Sequence, residues 1–434
     1  MTEVVVAGGG LAGLVTARRL AETGADVRLY ERHPDVGGRV RSLRRDGVVF
    51  DRGFQVLFTA YPAARRELDY DDLDLRYFAP GAVVARPGHR SVLADPFRDP
   101  LAAVETLFNR DVTTRDKLGV LRLRRELAGK SRADIRDGSD ATTREYLRER
   151  GFSEKFLANF AEPFYGGISL DRSLSTSRKA FEFTFKMLAS GETAVPARGM
   201  GAISEQLADR AREEGVAVHT DETVTEIEAP SSDHEGVTVE LGRETTEADA
   251  VVVATDPQQA RELTGVETIP TDAKGCVTQY YAFEGPELDA GDRLLLNAGE
   301  TGTDGPRSNG AGPNHVAQLS AVAPEYAPDD LNLLSATYLG VPEDDDEGLA
   351  ARTVETLASW YPERRLDLRT VHTSRVEFAQ FAQPPGVYDR LPDVRAPDGP
   401  VYLAGEFTEA SSLNAAMESG RTAAEAVARD LDLE

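Results

Sequence analysis

A chain of 434 residues with 41% hydrophobic content carries more apolar material than one ordinary core needs, so two domains sharing an interface are expected. Its 74 acidic against 49 basic residues leave a net charge of −25, which repels nucleic-acid phosphates and argues against such a partner. The single Cys276 excludes an internal disulfide and a cysteine metal cluster, and no run approaches the roughly 18 to 20 consecutive apolar residues of a membrane span.

The first 31 residues read strand, glycine-rich turn, helix, strand: Val4 to Val6, then Leu11 to Thr23 with apolar residues at helical spacing, then Val27 to Tyr30. This is half of a doubly wound parallel sheet. Gly8, Gly10 and Gly13 form a G-x-G-x-x-G pattern between the strand and the helix. Gly8 permits the tight turn, Gly10 lets a pyrophosphate approach the backbone, and Gly13 lets helix and strand pack closely. Leu11 and Ala12 open the helix, whose N-terminus supplies partial positive charge. Glu31, with Arg32 beside it, ends the second strand where an acid binds ribose hydroxyls. A second glycine pair follows at Gly37 and Gly38, and Arg39 suits a second phosphate contact as a charged clamp.

From about Asp95 to Ser190 the text turns charged and helical, as in Thr142 to Phe160, and predicts a mostly helical insertion. Rossmann-like text returns at Val195 to Ile227. Asp249 to Thr255 reads as a buried strand closing onto a nucleotide. A second excursion, from about Gly265 to Pro385, contains strand-like segments at Val277 to Phe283 and Leu333 to Leu339, with surface loops predicted at Asn309 to Asn314 and Asp344 to Glu347. Val401 to Asp430 reads as strand, turn and terminal helix. The fold class is therefore α/β: a discontinuous Rossmann-type nucleotide domain over 1–80, 191–264 and 386–434, and a second, α+β substrate domain over 81–190 and 265–385.

Six of the basic residues are lysines. An acidic, lysine-poor surface is the pattern of proteins from salt-accumulating cells, so a halophilic archaeal source is expected, with an acidic mesophilic enzyme as the alternative. His33, His89, His219, His234, His315 and His372 are scattered without ligand spacing; they read as surface or packing residues, and no metal is expected. No charged and apolar leader precedes the first strand, which makes a cytoplasmic location the expectation.

Four further segments carry a resemblance. They are Phe50-Asp51-Arg52-Gly53, Pro196-Ala197-Arg198-Gly199-Met200, Leu403-Ala404-Gly405-Glu406, and Asn414-Ala415-Ala416-Met417-Glu418-Ser419-Gly420-Arg421. Together with the two N-terminal motifs, over nearly the whole chain, they resemble the flavin-containing amine oxidase superfamily, which includes phytoene desaturases and protoporphyrinogen oxidases. The resemblance implies FAD held non-covalently in the nucleotide domain. It also implies that a backbone group at Val224 holds the adenine, that Thr255 lies at the nucleotide, and that Gly405 lets the backbone approach the ribityl and pyrophosphate. Glu406 would bind a ribityl hydroxyl. The helix beginning near Ser412, with Leu413, Asn414 and Ala415 in its first turn, would aim its free N–H groups at the flavin pyrimidine edge.

The implied activity is two-electron oxidation of a small organic substrate by hydride removal from a C–H or C–N bond. The electrons would pass to oxygen, a quinone or another acceptor. The chain departs from classical amine oxidases at two positions: one aromatic facing the flavin falls on Ser412, and the lysine near the reactive ring nitrogen falls on Cys276, with Lys274 two residues earlier. An apolar, desaturase-like substrate is thus favoured over an amine. A flavin-free escort protein for prenylated partners on the same fold is the reading from another class. Phe54, Gln55, Phe378, Gln380, Phe381 and Phe407 are the expected substrate-side residues, with Phe164-Tyr165-Gly166-Gly167 as a further wall. No nucleophile triad or acid–base pair is visible, and catalytic residues stay unassigned.

Overall fold

The computed structural model describes residues 2–94, 109–228, 236–242, 244–298 and 312–433. Alternation along the first strand, Glu3–Ala7, sets Val4 and Val6 on one face and Val5 and Ala7 on the other, all buried. This strand is the centre of a five-stranded sheet in the order Ala217–Thr220, Asp26–Glu31, Glu3–Ala7, Ala250–Val253, Val401–Leu403, every pair parallel. Strands covered on both faces read as unbroken apolar runs, which is why Ala250–Val253 is AVVV.

On one face, helix Leu11–Glu22 packs against helices Gly201–Glu213 and Leu413–Asp430. Its approach to the last helix depends on Gly420, where a Cβ would stand 2.4 Å from the Ala12 carbonyl oxygen. On the other face lies an antiparallel meander, Glu226–Glu228, Val237–Leu241 and Glu244–Ala248, whose Val237, Val239 and Ala248 share a core with Val5, Val251 and Val253.

The two excursions meet in a seven-stranded sheet, ordered Arg369–Phe381, Ala273–Phe283, Asn332–Leu339, His315–Gln318, Leu294–Asn297, Ala82–Arg86, His89–Leu93. Tyr281 and Phe283 of this sheet pack with Leu357 and Trp360 of helix Asp346–Trp360, whose start is capped by the Asp345 side chain. The helices between Thr114 and Ser190 enclose a separate core that includes Leu123, Leu127, Tyr146, Leu147, Phe156 and Phe181. No helix among the described residues is long and apolar enough to cross a membrane.

Two local expectations change. The helix expected over Thr142 to Phe160 breaks: Thr143–Glu149 starts on a Thr142/Glu145 capping box and ends before Gly151 at φ +80°, and Ser153 caps a new start. From there the chain runs through Glu154–Phe156, a π turn at Leu157–Ala161, and Glu162–Ile168. Pro163 has no N–H to give the Asn159 carbonyl, and a π turn accommodates the missing bond. The expected loop at Asn309 to Asn314 lies partly outside the described residues, and Asn314 itself is buried: its Nδ2 donates to the Pro163 carbonyl at 2.9 Å and its Oδ1 accepts from Arg172 at 3.2 Å.

Candidate active site

The turn after the first strand is built by sterics. Gly8 sits at φ +110°, which side chains disfavour, and a Cβ on it would lie 2.6 Å from the Ala254 carbonyl oxygen. A Cβ on Gly13 would lie 1.9 Å from the Gly8 carbonyl oxygen. Gly10, in contrast, would meet nothing within 4 Å. Its open side faces a cavity of about 1160 Å³ that also exposes Leu11 and Ala12. No side chain caps this helix start, so the N–H groups of its first turn are left for an anion.

Glu31 stands at the cavity wall, 5% exposed, with Oε2 accepting from the Gly9 N–H at 2.9 Å and Oε1 from the His33 N–H at 3.0 Å. Arg32 turns aside to Asp256 at 3.1 Å and Gln259 at 2.9 Å. Val224 and Thr255 line the same end. The Gly37 N–H donates to the Gly9 carbonyl at 2.7 Å, which locks the second glycine turn, with Gly38, onto the first.

Beyond it, Arg39 Nη1 donates to Glu406 Oε1 at 2.6 Å and to the Ala379 carbonyl at 3.1 Å. The two charged residues expected at different parts of a dinucleotide are thus one ion pair on the cavity wall. Gly405 and Leu413 also face the cavity. Ser412 caps the last helix, its Oγ accepting from the Ala415 N–H at 3.1 Å, while Asn414 Oδ1 accepts from the Ala63 N–H at 2.9 Å. Asn414 and Ala415 therefore turn to a smaller cavity behind the helix start, and Gly13 serves packing alone.

The other limb of the large cavity is apolar. Phe54, Gln55, Phe378, Gln380 and Phe407 line it as expected, as do Phe164, Tyr165 and Gly167. Phe381 does not: it is 1% exposed in the core beneath the meander, because the alternation of strand Arg369–Phe381 turns it away. The sequence reading missed Phe78, Phe152, Phe156, Phe160, Phe181 and Phe185, which complete the wall.

Phe152–Phe156, Phe156–Phe160 and Phe160–Phe164 ring centroids are 4.6, 5.6 and 5.0 Å apart. A signal was present in their spacing of four. At 3.6 residues per turn such a series drifts about 40° per step, and the one-residue excess of the π turn returns Phe160 and Phe164 to a common face.

Three ionisable groups at this end are set by burial. Cys276, on strand Ala273–Phe283, reaches the cavity beside Gly53, and desolvation pushes its thiol up to about 11. His315 is pushed down to about 4 by burial and then by Arg172. Its Nδ1 lies 3.1 Å from Asn314 Nδ2, and its ring meets Phe54 edge-on at 4.7 Å. Asp51 is raised by desolvation, against bonds from Ser42, Tyr326 and the Met200 N–H that tie three segments together beneath Gly53. Lys274 instead faces Asp171 at 3.7 Å. His234 lies outside the described residues, and among those described no group of three or more His, Cys, Asp or Glu is placed to hold a metal.

Comparison with known proteins decides the family. The model of flavin containing amine oxidoreductases matches residues 11–428. The chain belongs to this family. As a flavin-containing amine oxidoreductase it is an FAD-dependent oxidoreductase. It is 29% identical to carotenoid phi-ring synthase of Streptomyces griseus, over 96% of this chain and 85% of that one. It is 24% identical to zeta-carotene desaturase of Synechocystis sp., over 98% and 96%. Putrescine oxidase bound to putrescine superposes with a TM-score of 0.72 at 18% identity, covering 99% of both chains, which shows the shared fold. The family's cofactor fits the residues present: an uncapped helix start beside a cradle that a Cβ on Gly10 would fill, a carboxylate, Glu31, fixed by two backbone N–H groups at the cavity wall, and a cavity exceeding the roughly 300–1,000 Å³ of a single-ligand pocket.

Proposed function

We propose that this oxidoreductase removes two hydrogens from a long apolar substrate, of the isoprenoid or polyene kind, held in the aromatic limb of the cavity. The observation that carries the reading is the chemistry of that limb. Aromatic and aliphatic side chains form most of its wall, whereas of the cavity's carboxylates Glu31, Glu222, Asp256, Glu262 and Glu406 belong to the nucleotide motifs or the strand and helix ends beside them, and Glu377, next to Phe378, is exposed to solvent. A cationic amine would enter without a buried charge partner, at a desolvation cost that aromatic faces offset only in part. The family relatives acting on carotenoids support the same choice.

In this reading Gly8, Gly10, Leu11 and Ala12 cradle the pyrophosphate, Glu31 binds the ribose, and Val224 and Thr255 flank the adenine. The Arg39–Glu406 pair, with Gly405, orients the ribityl end, and the start of helix Leu413–Asp430 faces the pyrimidine edge. When bound, FAD supplies the hydride acceptor. The chain's own part is positional: Phe54, Phe378 and Phe407 exclude water and hold the C–H bond, and His315 stays neutral. Cys276, kept as a thiol, is a poor nucleophile, in keeping with non-covalent FAD. Incubating the holoprotein with isoprenoid hydrocarbons and with aliphatic amines, plus a quinone acceptor, tests this. Loss of two hydrogens from a hydrocarbon by mass spectrometry is expected; turnover of amines alone would overturn it.

A further inference from the structure

Behind the start of helix Leu413–Asp430 lies the smaller cavity, of about 100 Å³, which shares Tyr165, Gln380 and Ser412 with the large one. Three hydrogen-bond donors on its wall have no partner among the described residues. Lys179, in the first turn of helix Arg178–Ser190, is 8% exposed, and its ammonium forms neither an ion pair nor a hydrogen bond there. Gln383 is equally buried. Its Oε1 accepts from the Tyr388 hydroxyl and from the Ser411 N–H, both at 3.0 Å, which fixes the amide and leaves Nε2 without an acceptor. The Ser411 hydroxyl is buried and also lacks a partner. Glu409, the carboxylate among the described lining residues, is already met by Arg132 at 2.7 Å and Arg136 at 3.5 Å. Asp140, close by, accepts from the Ser177 hydroxyl and the Gly386 N–H. The lysine charge is therefore left without a counter-charge, in a chain of net charge −25.

We propose that this cavity binds a short-chain carboxylate, whose oxygens accept from Lys179, Gln383 and Ser411 and whose alkyl part lies against Ile135, Leu174 and Phe183. Buried donors left unpaired are costly, and a buried ammonium more so, which a carboxylate relieves with charge-assisted bonds. Three donors meet the several lone-pair sites of two carboxylate oxygens, whereas a neutral amide brings one oxygen and a surplus of N–H groups. Size limits the ligand: a cavity of about 150 Å³ holds benzene, so this one admits a carboxylate of about two to four carbons. The apolar side chains distinguish such a ligand from a halide, which has nothing to place against them. Ser412 and Ala415 also line the cavity, in the cap and first turn of the helix assigned above to the flavin pyrimidine edge. A negative charge behind that turn opposes the dipole that favours the reduced ring, so occupancy disfavours flavin reduction. This consequence rests on the function proposed above; the binding itself does not.

The test is isothermal titration of the flavin-loaded protein, without substrate and at constant ionic strength, with butyrate, with butyramide as its neutral counterpart, and with chloride. Saturable binding of butyrate at one site, with butyramide and chloride much weaker, is expected. Lys179→Met keeps the length of the stem and should lower butyrate affinity by about 10- to 150-fold, the loss of a charge-assisted bond. Ser411→Ala removes one neutral donor and should cost about threefold to tenfold. Bound flavin absorbance and circular dichroism report that both variants are folded. No butyrate binding, equal binding of butyramide, binding of chloride alone, or variants that bind like the parent would overturn the proposal. With butyrate bound, the flavin midpoint potential should fall, and an unchanged potential would overturn the coupling to reduction. A failure to bind leaves the substrate reading standing, since no turnover is measured.

Discussion

Replacing Glu31 by Ala bears most directly on how FAD is held. The carboxylate is 5% exposed and accepts two backbone N–H groups, from Gly9 and His33. It thus ties the first glycine turn to the end of strand Asp26–Glu31 and keeps an oxygen at the cavity wall. Removing a charge-assisted hydrogen bond to the ribose costs about 1.5–3 kcal/mol, a loss of roughly 10- to 150-fold in FAD affinity. The two orphaned N–H groups add a separate stability cost, about 1–3 kcal/mol each where water cannot reach them. Glu31→Gln keeps the shape and one acceptor oxygen, so it should fall between parent and Ala. Apoprotein is titrated with FAD by fluorescence quenching, and denaturant melts of the apo forms separate the two costs. Unchanged FAD affinity in the Ala variant, with or without lower stability, would refute the role assigned to Glu31.

Other outcomes follow from the same geometry. Gly10→Ala should fold, because its Cβ meets nothing within 4 Å, yet lose FAD by filling the cradle, whereas Gly13→Ala should fail to fold, with its Cβ 1.9 Å from the Gly8 carbonyl oxygen; circular dichroism and flavin content of both variants check this. His315, pushed down from 6.5 to about 4 in the folded chain, binds its proton more readily once unfolded. Stability from its neutral form is intact above about pH 6.5 and lost progressively as pH falls toward 4, on the order of 2 kcal/mol. Urea midpoints at pH 7 and pH 4.5 should differ less in His315→Phe than in the parent. With a charge of −25, the melting temperature should rise as potassium chloride approaches molar levels, where the Debye length is about 3 Å; a flat or falling curve contradicts the halophilic reading.

The elements that were legible in the sequence are those decided by neighbours along the chain. Val4 to Val6, the Gly8-Gly10-Gly13 turn and Leu11–Glu22 follow from strand alternation, left-handed φ and helical periodicity, and all lie where expected. What escaped depends on residues far apart in sequence. Arg39 and Glu406 are 367 positions apart, and nothing local says that a clamp and an acid pair with each other. Asn414 was placed by motif in the first turn of the last helix, and nothing local says that its side-chain oxygen accepts from Ala63 on a distant helix. Cys276 reaches the cavity because its strand runs past Gly53. The phenylalanine ladder was readable, yet a spacing of four matches a helix face only if a π turn is foreseen, and the Pro163 that accompanies it is elsewhere a helix breaker.

The central claim is that FAD in this cavity takes hydride from an apolar molecule and not from an amine. The most direct measurement is the anaerobic reductive half-reaction: the oxidised holoprotein is mixed with a linear isoprenoid hydrocarbon in detergent, or with putrescine in buffer, and flavin bleaching is followed in a stopped-flow instrument. Saturable bleaching by the hydrocarbon, with putrescine inert even at high concentration, is the predicted result. Rapid bleaching by putrescine that saturates at low concentration, with the hydrocarbon inert, would contradict it.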